Sequence, residues 1–417
     1  MNSHRPNVLV IGKGEYVTGL LRDGTISADK GHGVVTLVLA DLRRRGLIGP
    51  KIGLCGTTGR GWTEIREHLR RNIERFKSLS ADIETFPVDT CDWDGKAYMA
   101  AMDQFRQGDI AMVYTPDRTH YSVASEAIKR GMHVMIAKPA AVSLEEHLQL
   151  ADEAKRNKVL ACVENHKRYD PIYAHFKQTV GDLGEFSYFS SYMSQPACQA
   201  KHYQSRGASS TDVSFYLNSH HVDFHAWLMG NRSIPLTVTA HGSSGVLEQR
   251  YGFNTPDTII LLAQWQDQQT GAVGHGSYTA SWIAQPSDVF TQQQWFYLGS
   301  TGEASADQAH RGYRVLSDSQ LCSPNPLYMT GLRSDQGIFT GQSGYGYQVF
   351  EHFVEAVREI RNGKSTAEDF DDRLATLRST MNVTAILDAG RQSLMCNGMP
   401  FKICHIGLEP QTIEPSR

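Results

Sequence analysis

Residues 108–171 read GDIAMVYTPDRTHYSVASEAIKRGMHVMIAKPAAVSLEEHLQLADEAKRNKVLACVENHKRYDP. Three apolar runs, DIAMV, HVMIA and VLACV, alternate with SVASEAIKRG and EEHLQLADEAKRN, whose apolar residues recur at helical spacing. Continuous apolar strands separated by amphipathic helices are the pattern of a parallel sheet covered on both faces. The same rhythm runs upstream, with VLVIG (8–12) as a strand, GVVTLVLADLRRRG (33–46) as a helix closed by Gly46, and KIGLCG (51–56) as a second strand. The fold class that follows is α/β, with an amino-terminal Rossmann doubly wound parallel sheet. Between the first strand and its helix lies LRDGTISADKGHG (21–33), a polar, glycine-rich insertion that reads as loop decoration.

Past Asn165 the pattern changes. EFSYFSSYMS, PLTVTAHGS, DTIILLAQW, GHGSYTASWI and QWFYLGS follow one another without helices between them, which predicts a large, mostly antiparallel open sheet. Helices are expected before it, at YDPIYAHFKQTV and VSFYLNSHHVDFHAWLMG, and after it, at GYQVFEHFVEAVREIRNG and FDDRLATLRSTMNVTAILDAGR. The division is thus a dinucleotide-binding domain over 1–163, an α+β substrate and oligomerisation domain over 164–395, and a tail over 396–417 without periodicity. A chain of 417 residues agrees with about two domains.

A net charge of −3 with 20% charged residues offers no surface suited to nucleic acid or membrane. The arginine-rich stretches DLRRRG and IREHLRRNIERFK are broken by acids and apolar residues at helical spacing, so they read as solvated helix faces. Seven cysteines without a C-x-x-C pair predict reduced thiols rather than a disulfide framework or a zinc knot. No leader pattern precedes the first strand and no apolar run approaches a membrane span, so the expected location is the cytoplasm.

The first strand ends on Gly12 and Gly14, two glycines of the G-x-G-x-x-G fingerprint; the third position is Val17, and the next glycine is Gly19. Such glycines let backbone N–H groups approach a pyrophosphate at a helix amino terminus, and Lys13 adds a positive charge there. The second strand ends in CGTTGRG, without the carboxylate that binds both ribose hydroxyls of NAD. Thr57, Thr58 and Arg60 suit a 2′-phosphate instead, which favours NADP over NAD. The alternative is that the 21–33 insertion shifts this reading and an acid such as Asp89 serves the ribose.

Four spaced motifs carry a resemblance. T-P-x-x-x-H after one strand (Thr115, Pro116, His120), a helix ending in glycine, K-P after the next strand (Lys138, Pro139) and R-Y-x-P from Arg168 resemble, in this order, the Gfo/Idh/MocA family of glucose-fructose oxidoreductase and inositol dehydrogenase, from residue 7 to about 395. The resemblance implies a nicotinamide cofactor and a homodimer or homotetramer formed through the open sheet. On the cofactor side it implies Gly12, Lys13, Gly14, Glu15, Tyr16, Thr57, Thr58, Arg60, Thr115, Pro116, His120, Lys138 and Pro139. Lys138 resembles the family lysine that contacts and polarises the substrate hydroxyl, against the commoner reading of a lysine as a surface residue.

DVSFYLNSHHVDFHAWLMG resembles the family's catalytic helix, D-x-x-x-H-x-x-D ahead of W-L-x-G. Counting back from Gly230 sets the catalytic histidine at His220, the later acid at Asp223, and Tyr216 where the first aspartate belongs. The substrate side then comprises Lys138, Arg168, Tyr203, His220, His221 and Asp223, with Tyr216 joining Lys138 and His220 in the chemistry. His221 and His225 lie one turn apart, as metal ligands do, but no H-E-x-x-H acid accompanies them, and no metal is expected. Other departures are Ala137, where the family has glutamate before its lysine, and Val17 for the third glycine. Without an aspartate beside it, His220 is expected to work best on the alkaline side.

The activity implied is hydride transfer between nicotinamide and a CH–OH carbon of a sugar, sugar acid or cyclitol. Tyr216 keeps a second reading open, a cofactor-bound sugar sensor or corepressor without turnover. A third has tightly held NAD performing transient oxidation during glycoside cleavage.

Overall fold

The computed structural model describes residues 5–21, 24–25, 33–205, 211–318 and 321–416, the side chains of 202–205 excepted. Six parallel strands, β1 (Val8–Ile11), β2 (Ile52–Cys55), β3 (Glu84–Phe86), β4 (Ile110–Val113), β5 (His133–Ile136) and β6 (Ala161–Val163), form one sheet in the order β3-β2-β1-β4-β5-β6. Every residue of β1, β2, β4 and β5 is buried, as their unbroken apolar runs require. The strand order reverses between β1 and β4, and the crevice above their carboxyl ends is where such sheets bind ligands. The helices pack by amphipathic faces. One of them, Leu144–Asn157, starts on Ser143, whose hydroxyl accepts from the Glu146 N–H at 3.2 Å, and stops at Lys158 in the left-handed conformation.

The first crossover departs from the expected strand-to-helix passage. Only one turn of helix, Glu15–Thr18, follows Gly14, and the long helix begins at Val34 beyond the insertion. Part of that insertion, 26–32, lies outside the described residues. Gly12, at φ +124°, packs so closely that a Cβ would meet the Tyr114 carbonyl oxygen at 2.2 Å. Val17 is buried, and the close approach expected of a third glycine falls to Gly33, where a Cβ would meet the Val17 carbonyl oxygen at 2.4 Å.

The second sheet has eight strands: β7 (Phe186–Pro196), β8 (Ser233–Ser243), β9 (Thr258–Asp267), β10 (Val273–Ala284), β11 (Gln292–Gly299), β12 (Glu303–Asp307), and two from the chain's end. Between β12 and that end lie two small hairpins, β13 (Val315–Leu316) with β14 (Leu321–Cys322) and β15 (Thr330–Arg333) with β16 (Phe339–Ser343). The closing strands β17 (Phe401–Ile406) and β18 (Glu409–Pro415) complete the order β12-β11-β7-β10-β9-β8-β17-β18, with β7 and β10 the parallel pair. Within the tail over 396–417, where no periodicity showed, Phe401–Pro415 is therefore a hairpin at the sheet edge; the short alternation of Phe401 and Ile403 inward is what places it there.

The chain also returns to the first domain inside the span assigned to the second. The helix Tyr345–Arg361 buries Phe350, Phe353, Val354 and Val357 in the same core as Val8, Val10 and Val38, and Tyr347 donates its hydroxyl to buried Asp41 at 2.9 Å. The stretch read as one helix over 370–391 becomes α-helical only at Met381, because 375–377 is held against β6 between turns and a 3₁₀ turn: the Val163 N–H donates to the Ala375 carbonyl at 2.7 Å and the Leu377 N–H to that of Ala161 at 2.9 Å. Removing the Phe350 ring should therefore unfold the first domain more readily. Phe350→Ala is expected to cost about 3–5 kcal/mol, read from urea denaturation; a loss under about 1 kcal/mol would detach the helix from that core.

Candidate active site

Thr115 and Pro116 follow β4, and Lys138 and Pro139 follow β5, so both motifs stand at strand carboxyl ends on the same side of the sheet. His120 ties them together. Its Nδ1 lies 2.7 Å from the Pro139 carbonyl and its Nε2 2.9 Å from that of Thr115. With both ring nitrogens engaged and the side chain buried, His120 shapes the crevice through these two loops.

Lys138 donates its Nζ hydrogen bond to the carbonyl of Tyr216, and the ammonium stands 4.3 Å from that residue's ring centroid. Burial pushes its pKa down to about 8 against the pull of Asp117 and Glu164. Tyr216 occupies a π-helical turn, Ser214–Asn218, and its ring stacks on buried Trp282 at 5.0 Å. The helix Ser219–Met229 continues from it and carries His220, half-buried. Burial, and then the charges of Lys138 and Lys167, hold the His220 pKa well below the ordinary histidine value. His220 is thus a free base throughout the neutral range. The expected alkaline optimum does not follow, because the group that changes charge near pH 8 is Lys138.

Two further groups sit here that the sequence reading passed over. Glu164, directly after β6, is buried, and its Oε1 accepts from Tyr16 Oη at 3.1 Å and from His166 Nδ1 at 2.8 Å. The His166 ring lies 5.5 Å from that of His220, centroid to centroid. Both residues fall in the quoted VENHKRY stretch, and their signal was position: polar residues immediately past a buried strand, at the level of the K-P turn.

At the carboxyl end of β1, among the described residues, the space over Gly14 is open, with nothing within 4 Å of a Cβ built there, and the buried Thr115 hydroxyl has no hydrogen-bond partner. An open glycine turn with an unsatisfied hydroxyl across the crevice fits a nicotinamide dinucleotide. Glu15 opens the one-turn helix, and Tyr16 is turned toward Glu164 and Tyr328. Lys13 folds away from Gly14 toward the end of β2, where its Nζ donates to the carbonyls of Thr58 at 2.8 Å and Arg60 at 2.6 Å. Arg60 itself pairs with Asp92 on the surface at 2.7 Å, Thr57 is exposed, and the Thr58 hydroxyl accepts from the Arg60 N–H at 3.0 Å. Asp89, the alternative ribose acid, is engaged by Arg66.

The description of an oxidoreductase family with an NAD-binding Rossmann fold, Gfo/Idh/MocA, matches residues 46–165. The rhizopine catabolism protein MocA of Rhizobium meliloti is 22% identical over 232 residues, 54% of this chain and 71% of that protein. Over these residues the chain is similar to the Gfo/Idh/MocA oxidoreductases. The scyllo-inositol 2-dehydrogenase (NADP(+)) of Bacillus subtilis (strain 168) is 30% identical over 161 residues, 38% of this chain, and the match spans less than half of that relative, 43%. Among solved structures, the scyllo-inositol dehydrogenase from Lactobacillus casei with bound NAD(H) and scyllo-inositol matches with a TM-score of 0.62 at 14% identity, covering 95% of this chain and 99% of that one. At that identity the likeness establishes the fold.

Several residues that the Gfo/Idh/MocA resemblance set on the substrate side are closed on other partners. Arg168 and Asp223 form a bidentate pair, at 2.6 and 3.0 Å, with side chains only 7% and 2% exposed. They hold the turn after β6 to the histidine helix and offer nothing to a substrate. His221 is buried and lies 2.9 Å from the Tyr173 hydroxyl, in the second domain's core. His225 bonds the Tyr278 hydroxyl at 2.6 Å and stacks on Phe189, so the two histidines do not converge as metal ligands would. Tyr203 lies in the helix Ala197–Ser205, but its side chain is outside the described residues.

Proposed function

We propose that this chain is a nicotinamide-dependent dehydrogenase or reductase acting on a CH–OH carbon of a sugar, sugar acid or cyclitol. The observation that carries the reading is the part-buried Lys138, hydrogen-bonded to the Tyr216 carbonyl at the carboxyl end of the Rossmann sheet, with His220 on the helix that continues from that turn. Lys138 spends one of its three donors on the Tyr216 carbonyl and keeps the others for the substrate hydroxyl, whose oxyanion character the ammonium stabilises. His220, held unprotonated, takes the hydroxyl proton. When bound, the nicotinamide supplies the hydride acceptor. Gly12, Gly14, Thr115, Pro116 and Pro139 shape its seat, with Glu15 and Tyr16 on the same turn.

The sensor reading rests on Tyr216, whose ring is packed between Lys138 and Trp282 and stands where the family carries an acid. Tight binding of cofactor and sugar with no oxidation or reduction of either across polyols, aldonates and inositols would put it in place of the enzyme reading. The exposed face of the second sheet presents Tyr188, Leu262, Ile260 and Val273 across the adjacent strands β7, β10 and β9, which supports pairing with a second copy of the chain; a monomer in sedimentation ends that assignment.

Loss of the lysine should separate binding from chemistry. Lys138→Ala is expected to leave cofactor affinity nearly intact while turnover falls by about two to four orders of magnitude. Wild-type oxidation should decline as pH rises through about 8, where the ammonium loses its proton, and the variant should lack that limb. Retained turnover would reduce Lys138 to a structural residue.

For the cofactor we propose NADP. Supporting it are the absence of a carboxylate from the CGTTGRG turn and the cations Lys13 and Arg60 at the end of β2. Arg60→Ala should raise the KM for NADP far more than that for NAD. Equal increases in the two constants would reject the preference.

A further inference from the structure

His220 has no hydrogen-bonded carboxylate among the described residues, and burial and the neighbouring lysines all disfavour its cation. A base in that position accepts a proton readily only if something beside it takes the proton on. The neighbouring ring is His166. Its Nδ1 lies 2.8 Å from the Glu164 carboxylate, which accepts from the Nδ1–H; in the neutral ring this leaves Nε2 as the proton-accepting atom. The ring stacks on Tyr345 at 5.7 Å and meets Tyr328 edge-on at 5.5 Å, which fixes its plane. Glu164 is itself pinned, its N–H donating to the Ile136 carbonyl at 2.8 Å, two residues before Lys138, and its Oε1 accepting from Tyr16 on the cofactor turn.

Resting on the dehydrogenase reading, we propose that Glu164 and His166 form a second proton-handling pair of this site: His220 removes the substrate's hydroxyl proton, and His166, oriented by Glu164, receives it. The two rings stand 5.5 Å apart, centroid to centroid, and are tilted by 55°, so they are immediate neighbours. In the oxidative direction the C–H bond breaks with its electron pair passing to the nicotinamide, the O–H bond breaks with its proton passing to His220, and C=O forms. The proton then moves to His166 Nε2 and on to solvent, which restores His220 as a base. Groups facing His166 are Glu164, Tyr328, Tyr345 and His220, with Tyr16 behind the carboxylate and the charges of Lys138 and Lys167 beyond His220. Glu164 acts through His166 and is a positioning residue.

The test begins with wild-type turnover on the polyol panel, then compares His166→Ala, His166→Asn and Glu164→Gln. His166→Ala should lower kcat about a hundredfold with cofactor affinity retained, and added imidazole should restore much of the loss. Glu164→Gln should lower kcat in the same sense. In the cofactor-free protein it should also displace the proton resonance of the His166 Nδ1–H, a readout independent of turnover. His166→Asn serves if the alanine variant does not fold. Wild-type turnover with His166 variants unchanged, or a loss that imidazole does not relieve, overturns this inference and leaves the dehydrogenase reading standing. No turnover in the wild type overturns both.

Discussion

The site depends on a buried cation that rests on a neutral oxygen. Lys138 stands at the end of β5 with the Tyr216 carbonyl as its hydrogen-bond acceptor, and the desolvation of an ammonium so placed is what draws its pKa toward 8. A carboxylate in the same position would neutralise the charge and restore the ordinary value. The carbonyl belongs to a π-helical turn, a widening of the helical ladder that is uncommon outside functional sites. Strand end, widened turn and imidazole are therefore mutually dependent: moving Tyr216 would strand the ammonium, and neutralising Lys138 would relax one of the charges that keep His220 unprotonated.

Much of the fold was legible because burial on both faces leaves an unbroken apolar run. β1, β2, β4 and β5 are such runs, and their order and spacing fixed the Rossmann half. The strand that the pattern did not reveal, β3, is three residues long, lies on the sheet edge and is only partly buried, so it has no apolar run to show. β17 and β18 are likewise half-exposed, β18 at the sheet edge and β17 paired to β8 over only two residues. The segment 375–377 is held by backbone hydrogen bonds to β6 rather than by side-chain burial alone, and its flanking apolar residues mimic helical spacing. Gly33 shows the same limit: the need for a close approach was visible, but the insertion moved the residue that meets it far from the fingerprint.

Site residues divided along a different line. Spacing located Lys138, Tyr216 and His220 on neighbouring elements, and the structure brings them together. What spacing does not carry is which polar side chains are already spoken for. Arg168, Asp223 and His221 lie on the right elements, yet each is satisfied by a partner far away in sequence. Glu164 and His166 were missed for the complementary reason: their position past a buried strand was visible, but the contact that brings Glu164 to the cofactor turn is with Tyr16, far away in sequence.

The cations around the crevice sort by chemistry. Arg168 is forked onto Asp223, and Arg311, only 5% exposed, is paired with Asp170. Arg311 also lies against the ring of Tyr345, the residue that stacks on His166. Guanidinium keeps its charge; Arg168 meets Asp223 with two bonds and Arg311 meets Asp170 with one, so these pairs fix the turn after β6, and removing either partner would leave a buried charge uncompensated. The lysines are treated differently. Lys138 rests on a backbone carbonyl and Lys167 on the Gln293 side chain, both neutral, and burial draws Lys167 to about 7. A permanent charge closed by a carboxylate serves position, whereas an ammonium on a neutral oxygen can gain or lose its proton near neutral pH. Lys138 follows β5, and Lys167 and Arg168 follow its neighbour β6, so the arginine pairs hold still the frame within which the lysines and His220 work.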